Sequence, residues 1–243
     1  MLALVFSDGP SGYTMQLLEV LRARQAKATF FPRTTAGIGM REVLTAILNY
    51  NHQLGSHTML HARLDTLANR AEVEEDVRSA IEWLRSFTGK RVRHFRPPFD
   101  AIDEFGYLED QAINHNLEVV GHTFNSGDMQ YYNEWNETSE ITRDRFVQSS
   151  VFLRVKEELR QLTADHQDNN NNQNQDKSRN KNDIDHLAIL PGLRRGPIIL
   201  FHDTYESVPE TVNQVLNYVH NNFRHLRLVS LQECLNSPAE VDS

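Results

Sequence analysis

Short apolar runs and amphipathic stretches alternate from one end of this chain to the other, and no other feature restricts its fold as much. Leu2-Ala3-Leu4-Val5-Phe6 stops at Ser7-Asp8-Gly9-Pro10, as a buried strand breaking into a turn does. Residues 13–27 then carry Met15, Leu18 and Leu21 at helical spacing, and Ala28-Thr29-Phe30-Phe31-Pro32 reads as a second strand. The pattern continues with helix over 40–49, strand over 53–57 and a long helix over 67–88 that carries Val73, Val77, Ile81, Trp83 and Leu84. It goes on with strand over 94–96, helix over 103–116, strand over 117–124 and helix over 140–162. It ends with strand PIILF over 197–201, helix over 209–222 and strand over 226–231. Strands that alternate with helices run parallel with the helices packed outside. About seven such units in one domain fit an α/β barrel better than an open sheet. A doubly wound sheet satisfies the same periodicity, and both gather ligands at the carboxyl ends of their strands.

The chain has 243 residues, and residues 1–235 are read as one domain with a tail at 236–243. One segment breaks the alternation. Residues 165–186, DHQDNNNNQNQDKSRNKNDIDH, are too polar to offset the entropy of ordering and are read as a disordered insertion. No apolar run reaches the roughly 18 residues of a membrane span, so no span is expected. A leader is not read either, because a core strand begins at Leu2. The net charge is -8, and the basic clusters Lys90-Arg91-Val92-Arg93 and Arg194-Arg195 read as solvated faces. Without a basic stripe, nucleic acid is not an expected partner. Cys234 is the sole cysteine, which excludes an internal disulfide and a thiolate zinc cluster.

Polar residues stand at the strand ends. Asp8 ends the first, where an aspartate also serves as a turn former. Gly55-Ser56-His57-Thr58-Met59-Leu60-His61 follows the third and spaces two imidazoles by four residues, which lets both reach one metal. With Asp8 they make a three-ligand site that keeps positions open for water. Arg96 ends the strand before the double proline, Asp128 follows the strand that stops at Phe124, and His202-Asp203 follows PIILF. Singly, Arg96 fits a surface ion pair, Asp128 a turn and His202 a hydrogen-bonded core position. Taken together they match the places from which barrel enzymes draw their catalytic groups.

These motifs resemble the polysaccharide deacetylase family, the NodB-homology domain that includes chitin deacetylases. SDGP stands where that family has D-D-G-P, and HTMLH fits H-[ST]-x-x-H. FRPPF fits R-P-P-Y with Phe for Tyr, NSGDM takes the place of D-x-x-D-W, LFH fits L-x-H, and KATFF is typical as well. The similarity runs from residue 4 to about residue 231. It implies a distorted (β/α) barrel and metal-dependent removal of N-acetyl groups from a glycan. In that pattern Asp8, His57 and His61 hold the metal, zinc or another divalent ion. His202 is the general acid and Asp128 orients it. The Phe99 N–H stabilises the oxyanion, and Leu200 lines the acetyl pocket. The family often works outside the cell on walls.

The chain departs from the family where the general base stands. That position is Ser7, and a hydroxyl does not accept a proton near neutral pH as a carboxylate does. Arg96, which braces that base in the family, loses its partner. Asn125 replaces an aspartate, Met129 replaces the groove tryptophan, and Asp100 replaces a small residue. Losing one base costs ~10²–10⁴-fold in rate, and Asp100 or Asp203 could supply another carboxylate. Two functions follow: a deacetylase of an N-acetylglucosamine polymer, or a metal-binding pseudoenzyme that holds glycan or a partner without turnover. The same two histidines and aspartate also fit a non-haem iron triad, a site usual on all-β folds.

Overall fold

The centre of the fold is β1 (Leu2–Ser7), buried along its whole length. In the computed structural model, which describes residues 1–34, 39–89, 92–115, 117–134, 140–169 and 196–236, β1 pairs with β2 (Ala28–Phe31) and with β7 (Ile198–His202). β2 carries β3 (Gln53–Leu54) on its far edge, and β7 carries β6 (Phe124–Asn125). β8 (Leu228–Val229) docks on Leu2 and Ala3. A second pair joins β4 (His94–Phe95) to β5 (Glu118–Val119), and a bridge from Ser56 to Phe95 ties it to the end of β3. Every pairing is parallel. The order is therefore β5-β4-β3-β2-β1-β7-β6, with no ladder between β5 and β6 among the described residues. This is an α/β barrel, distorted by that interruption.

The helices are α1 (Thr14–Ala23), α2 (Met40–Asn49), α3 (Arg70–Thr88), α4 (Tyr107–His115), α5 (Asp128–Glu134), α6 (Glu140–Asn169), α7 (Val208–Asn222) and α8 (Leu231–Asn236). The alternation within β1 explains how two cores form. Leu2, Leu4 and Phe6 pack outward with Leu17, Leu18 and Leu21 of α1 and with Val212, Val215 and Val219 of α7. Ala3 and Val5 point the other way, among Phe31, Leu200 and Val229. Phe6 stacks on Phe30 and Phe201, with centroids 5.0 and 5.7 Å away. Burial of one such ring stabilises by roughly 1.5–3 kcal/mol. Ser7 follows Ala3 and Val5 in the inward series, so side-chain alternation carries it to the mouth of the barrel.

Several boundaries differ from the sequence reading. The strand expected over 117–124 is two strands, because β5 pairs with β4 while β6 pairs with β7 across the interruption. α3 begins at Arg70, where the Asn69 side chain accepts the Glu72 N–H, and ends at Gly89, whose φ of 66 is left-handed. α4 starts at Tyr107 because the Asp103 carboxylate takes the N–H groups of Phe105, Tyr107 and Leu108. α5 was not read from the sequence at all. α6 runs to Asn169, past the point where the polar insertion was placed, and residues 170–186 of that segment lie outside the described residues. So does most of the tail at 236–243. No described helix is long and apolar enough to cross a membrane. Since all strands run one way, Ser7, His57, Arg96, Asp128 and His202 arrive at one rim.

Candidate active site

Asp8 leaves β1 with φ 71, a left-handed conformation that aspartate tolerates better than most residues. Its N–H donates to the Phe31 carbonyl, 3.2 Å away. The next position must be glycine, since a Cβ on Gly9 would lie 2.1 Å from Asp203 Oδ2. Asp203 holds this turn: Oδ1 accepts the Gly9 N–H at 3.0 Å and Oδ2 accepts the Thr14 hydroxyl at 2.6 Å. Burial pushes its carboxyl up to about 6, against those hydrogen bonds.

The second arm of the site begins after β3. Ser56 donates its N–H to the His94 carbonyl and accepts that of Arg96, which fixes the strand end from which His57 projects. Thr58 and His61 have φ values of 62 and 56, and a left-handed β-branched threonine is strained. The strain is held by Asp76 of α3, whose Oδ1 accepts the N–H groups of Met59 at 2.8 Å and Leu60 at 2.6 Å. The Thr58 hydroxyl accepts the His61 N–H at 3.0 Å.

The two arms meet at one point. His57 Nε2 lies 3.1 Å and His61 Nε2 2.9 Å from Asp8 Oδ1. The three ligand atoms lie within 4.8 Å of one another. His57 Nδ1 is 2.7 Å from the Arg96 carbonyl, which only accepts, so Nδ1 carries the proton. Burial lowers the His57 pKa despite the pull of Asp8, so the ring is neutral and Nε2 turns a lone pair toward Asp8. Burial alone would raise the Asp8 pKa. Hydrogen bonds to His57 and His61 outweigh it and hold the carboxyl far below the usual range. A neutral imidazole lone pair facing a carboxylate oxygen needs a cation between them. The donor set, two imidazole nitrogens and one carboxylate oxygen, therefore fits a divalent metal.

A second pair sits at the end of β7. Asp128, buried at the start of α5, accepts the His202 N–H through Oδ2 at 2.6 Å and meets His202 Nδ1 through Oδ1 at 2.8 Å. Burial opposes charge on His202, but the Asp128 carboxylate prevails and raises its pKa. Asp128 thus fixes the tautomer and leaves Nε2 for the cleft.

The remaining predicted residues differ in their surroundings. Ser7 is buried between Phe31 and His202 in the strand register, and among the described residues its Oγ has no hydrogen-bond partner. Arg96 is also buried and does not turn to Ser7. Its guanidinium binds Asp100 Oδ1 through Nη2, His122 Nδ1 at 3.1 Å and the Val120 carbonyl at 3.4 Å. Phe99 is 55% exposed, with its ring 5.0 Å from that of His61. Leu200 packs in the inner core. Met129 is half-buried, its N–H on Asp128 Oδ1 at 2.8 Å. Asn125 shapes the turn by accepting the Gly127 N–H at 2.9 Å.

Sequence reasoning missed Asp76 and His122. Asp76 left a signal, an aspartate among Val73, Val77 and Ala80 on the buried face of α3. His122 left none, because its role depends on Arg96, which is distant in sequence. Its pKa is pushed down to about 4, by burial first and by the Arg96 charge second, so its Nδ1 is free to accept.

Comparison with known proteins bears on the family and the fold. Residues 1–106 match the model of the polysaccharide deacetylase family. A chitin deacetylase of Pestalotiopsis sp is 34% identical over 126 residues, 49% of this chain and 42% of that protein. The chain thus spans less than half the length of that relative. Among solved structures, the chitin deacetylase of Colletotrichum lindemuthianum has a TM-score of 0.70 at 21% identity, covering 98% of this chain and 88% of that one. The CE4 family pseudoenzyme BA3943 of Bacillus anthracis has a TM-score of 0.67 at 17% identity, covering 97% and 65%. At such identities the structures share the fold. Fold, motif order and the sequence match converge on one likeness: residues 1–106 match the polysaccharide deacetylase family, and the fold is that of the deacetylases of known structure.

Proposed function

We propose that this protein removes acetyl groups from N-acetylglucosamine units of a chitin-like glycan, with a divalent metal, zinc first, held by Asp8, His57 and His61. The convergence of those three ligand atoms within 4.8 Å carries the reading. A bound ion of this kind lowers the pKa of a water toward ~7 and polarises the acetyl carbonyl. Every other role falls to the chain. His202, protonated through Asp128, gives its proton to the leaving nitrogen. The Phe99 N–H faces the developing oxyanion. Leu200 closes the apolar side of the acetyl pocket, and Phe99 and Met129 border the sugar. Related proteins named as chitin deacetylases support the substrate class.

A second reading has one specific observation in its favour, the buried Ser7 hydroxyl, which among the described residues has no partner where a base would stand. A structural neighbour is described as a pseudoenzyme whose mutant has restored activity. On that reading this protein binds metal and glycan without turnover. Acetate release from N-acetylchitooligosaccharides in the presence of zinc or cobalt separates the two. Release well above that of a His202→Ala variant is the expected outcome. Inert wild-type protein together with an active Ser7→Asp variant would establish the second reading.

A further inference from the structure

Among the described residues, Asp8, Asp100, Asp128 and Asp203 stand at the rim of the barrel, and three of them already have a role. Asp8 turns Oδ1 to both histidines as the carboxylate of the candidate metal site. Asp128 spends both oxygens on His202. Asp203, only 3% exposed, spends both on Gly9 and Thr14. Asp100 differs. Its Oδ1 binds the Arg96 guanidinium, its Oδ2 makes no hydrogen bond among the described residues, and its side chain is 37% exposed.

The backbone is bent to place it there. Phe99 and Asp100 have φ values of 57 and 55, left-handed in succession, which is rare for residues with a Cβ and clusters at functional sites. The bend puts the Phe99 ring against His61 and returns the next side chain to Arg96. Arg96 in turn gives its carbonyl to His57 and lies within electrostatic reach of Asp8. Asp100 is thus tied to the candidate metal site through two neighbours: Phe99, whose ring meets His61, and Arg96, which is within electrostatic reach of Asp8.

We propose that Asp100 is the proton acceptor of the hydrolysis, doing from the turn after β4 what the Ser7 hydroxyl cannot do from β1. This deepens the deacetylase reading and rests on it. Asp100 Oδ2 takes one proton from the attacking water, whose oxygen forms a new bond to the acetyl carbon. The C–N bond then breaks and its electron pair takes the proton that His202 carries. The products are acetic acid and a free amine. Asp100 loses its proton to solvent and His202 regains one, so the enzyme is restored. Arg96 holds the carboxylate in place through Oδ1. His122, which accepts from the same guanidinium, fixes the third side of the arrangement. Among the described residues, Arg96 and His122 are the ionisable groups paired with Asp100. Asp8 acts on Arg96 from beyond, and His202 and Arg154 act on His122.

The test compares wild type, Asp100→Asn, Ser7→Asp and the double variant, each loaded with zinc and assayed for acetate release from an N-acetylchitooligosaccharide across pH. Asn keeps an oxygen for Arg96 and removes the base. The expected result is a ~10²–10⁴-fold fall in kcat for Asp100→Asn, with loss of the acid limb of the pH profile. Bound metal per chain should be unchanged, and activity should return in the double variant. A merely structural role for Asp100 would lower the melting temperature and leave the acid limb in place, which would overturn the proposal. So would wild-type kcat in Asp100→Asn. Inert wild-type protein with active Ser7→Asp would also overturn it while leaving the metal centre and acid standing. Failure of all four proteins with metal bound would remove the deacetylase reading itself.

Discussion

The two halves of the rim are built differently. On one side Asp8, His57 and His61 converge from two strand ends, and each arm has its own buried brace: Asp203 under the first turn and Asp76 under the second. On the other side the Ser7 hydroxyl has no partner among the described residues, and Arg96 is satisfied by a carboxylate only four residues further along its own segment. The first half is over-determined, since strained φ values at Thr58 and His61 persist only where surrounding hydrogen bonds fix them. The second half rests on one short turn. Cation binding needs ligands fixed to a fraction of an ångström, whereas a proton acceptor can be supplied from another direction.

The contrast breaks most visibly by removing a ligand. His61→Ala should abolish stoichiometric zinc binding, measured by metal analysis after gel filtration, while Arg96→Lys keeps it. Equal metal content in the two variants would erase the distinction between the halves. The braces give the next effect. Asp203 has a pKa of about 6 in place of the ordinary 3.8 because it is buried, so the folded state binds its proton more tightly than the unfolded chain does. The stability from that proton is complete below the unfolded value and is lost as pH rises through the folded one. Asp203→Asn should flatten this decline, on the order of 3 kcal/mol between pH ~4 and ~7 in urea titrations. An unchanged slope would assign it to another group. The smallest effect belongs to Asp76→Ala. Loss of the acceptor for Met59 and Leu60 should weaken zinc binding by ~10–100-fold, as removal of an outer partner of a ligand typically does. Zinc affinity equal to that of wild type would mean that the loop holds its strain unaided.

Much of this was legible in the chain. The strand and helix alternation gave the barrel, because buried parallel strands read as continuous apolar runs such as LALVF and PIILF. The positions of Asp8, His57, His61, Arg96, Asp128 and His202 were legible too, because parallel strands deliver their carboxyl ends to one edge whatever their order. The missed parts share one cause. Asp76, His122 and the break between β5 and β6 depend on contacts between distant segments, which no local pattern encodes. α5 was missed because Asp128 both starts that helix and binds His202, so its cap was read only as a site residue.

The sequence by itself determined the class of fold, the motif order and the absence of a carboxylate at position 7. Those follow from local chemistry, namely apolar periodicity, turn formers and residue identity. The tertiary structure alone decided which carboxylate Arg96 holds, which aspartates are occupied and which imidazole nitrogen faces Asp8. Those are questions of pairing, and a side chain chooses its partner only once packing has brought the candidates within hydrogen-bond reach.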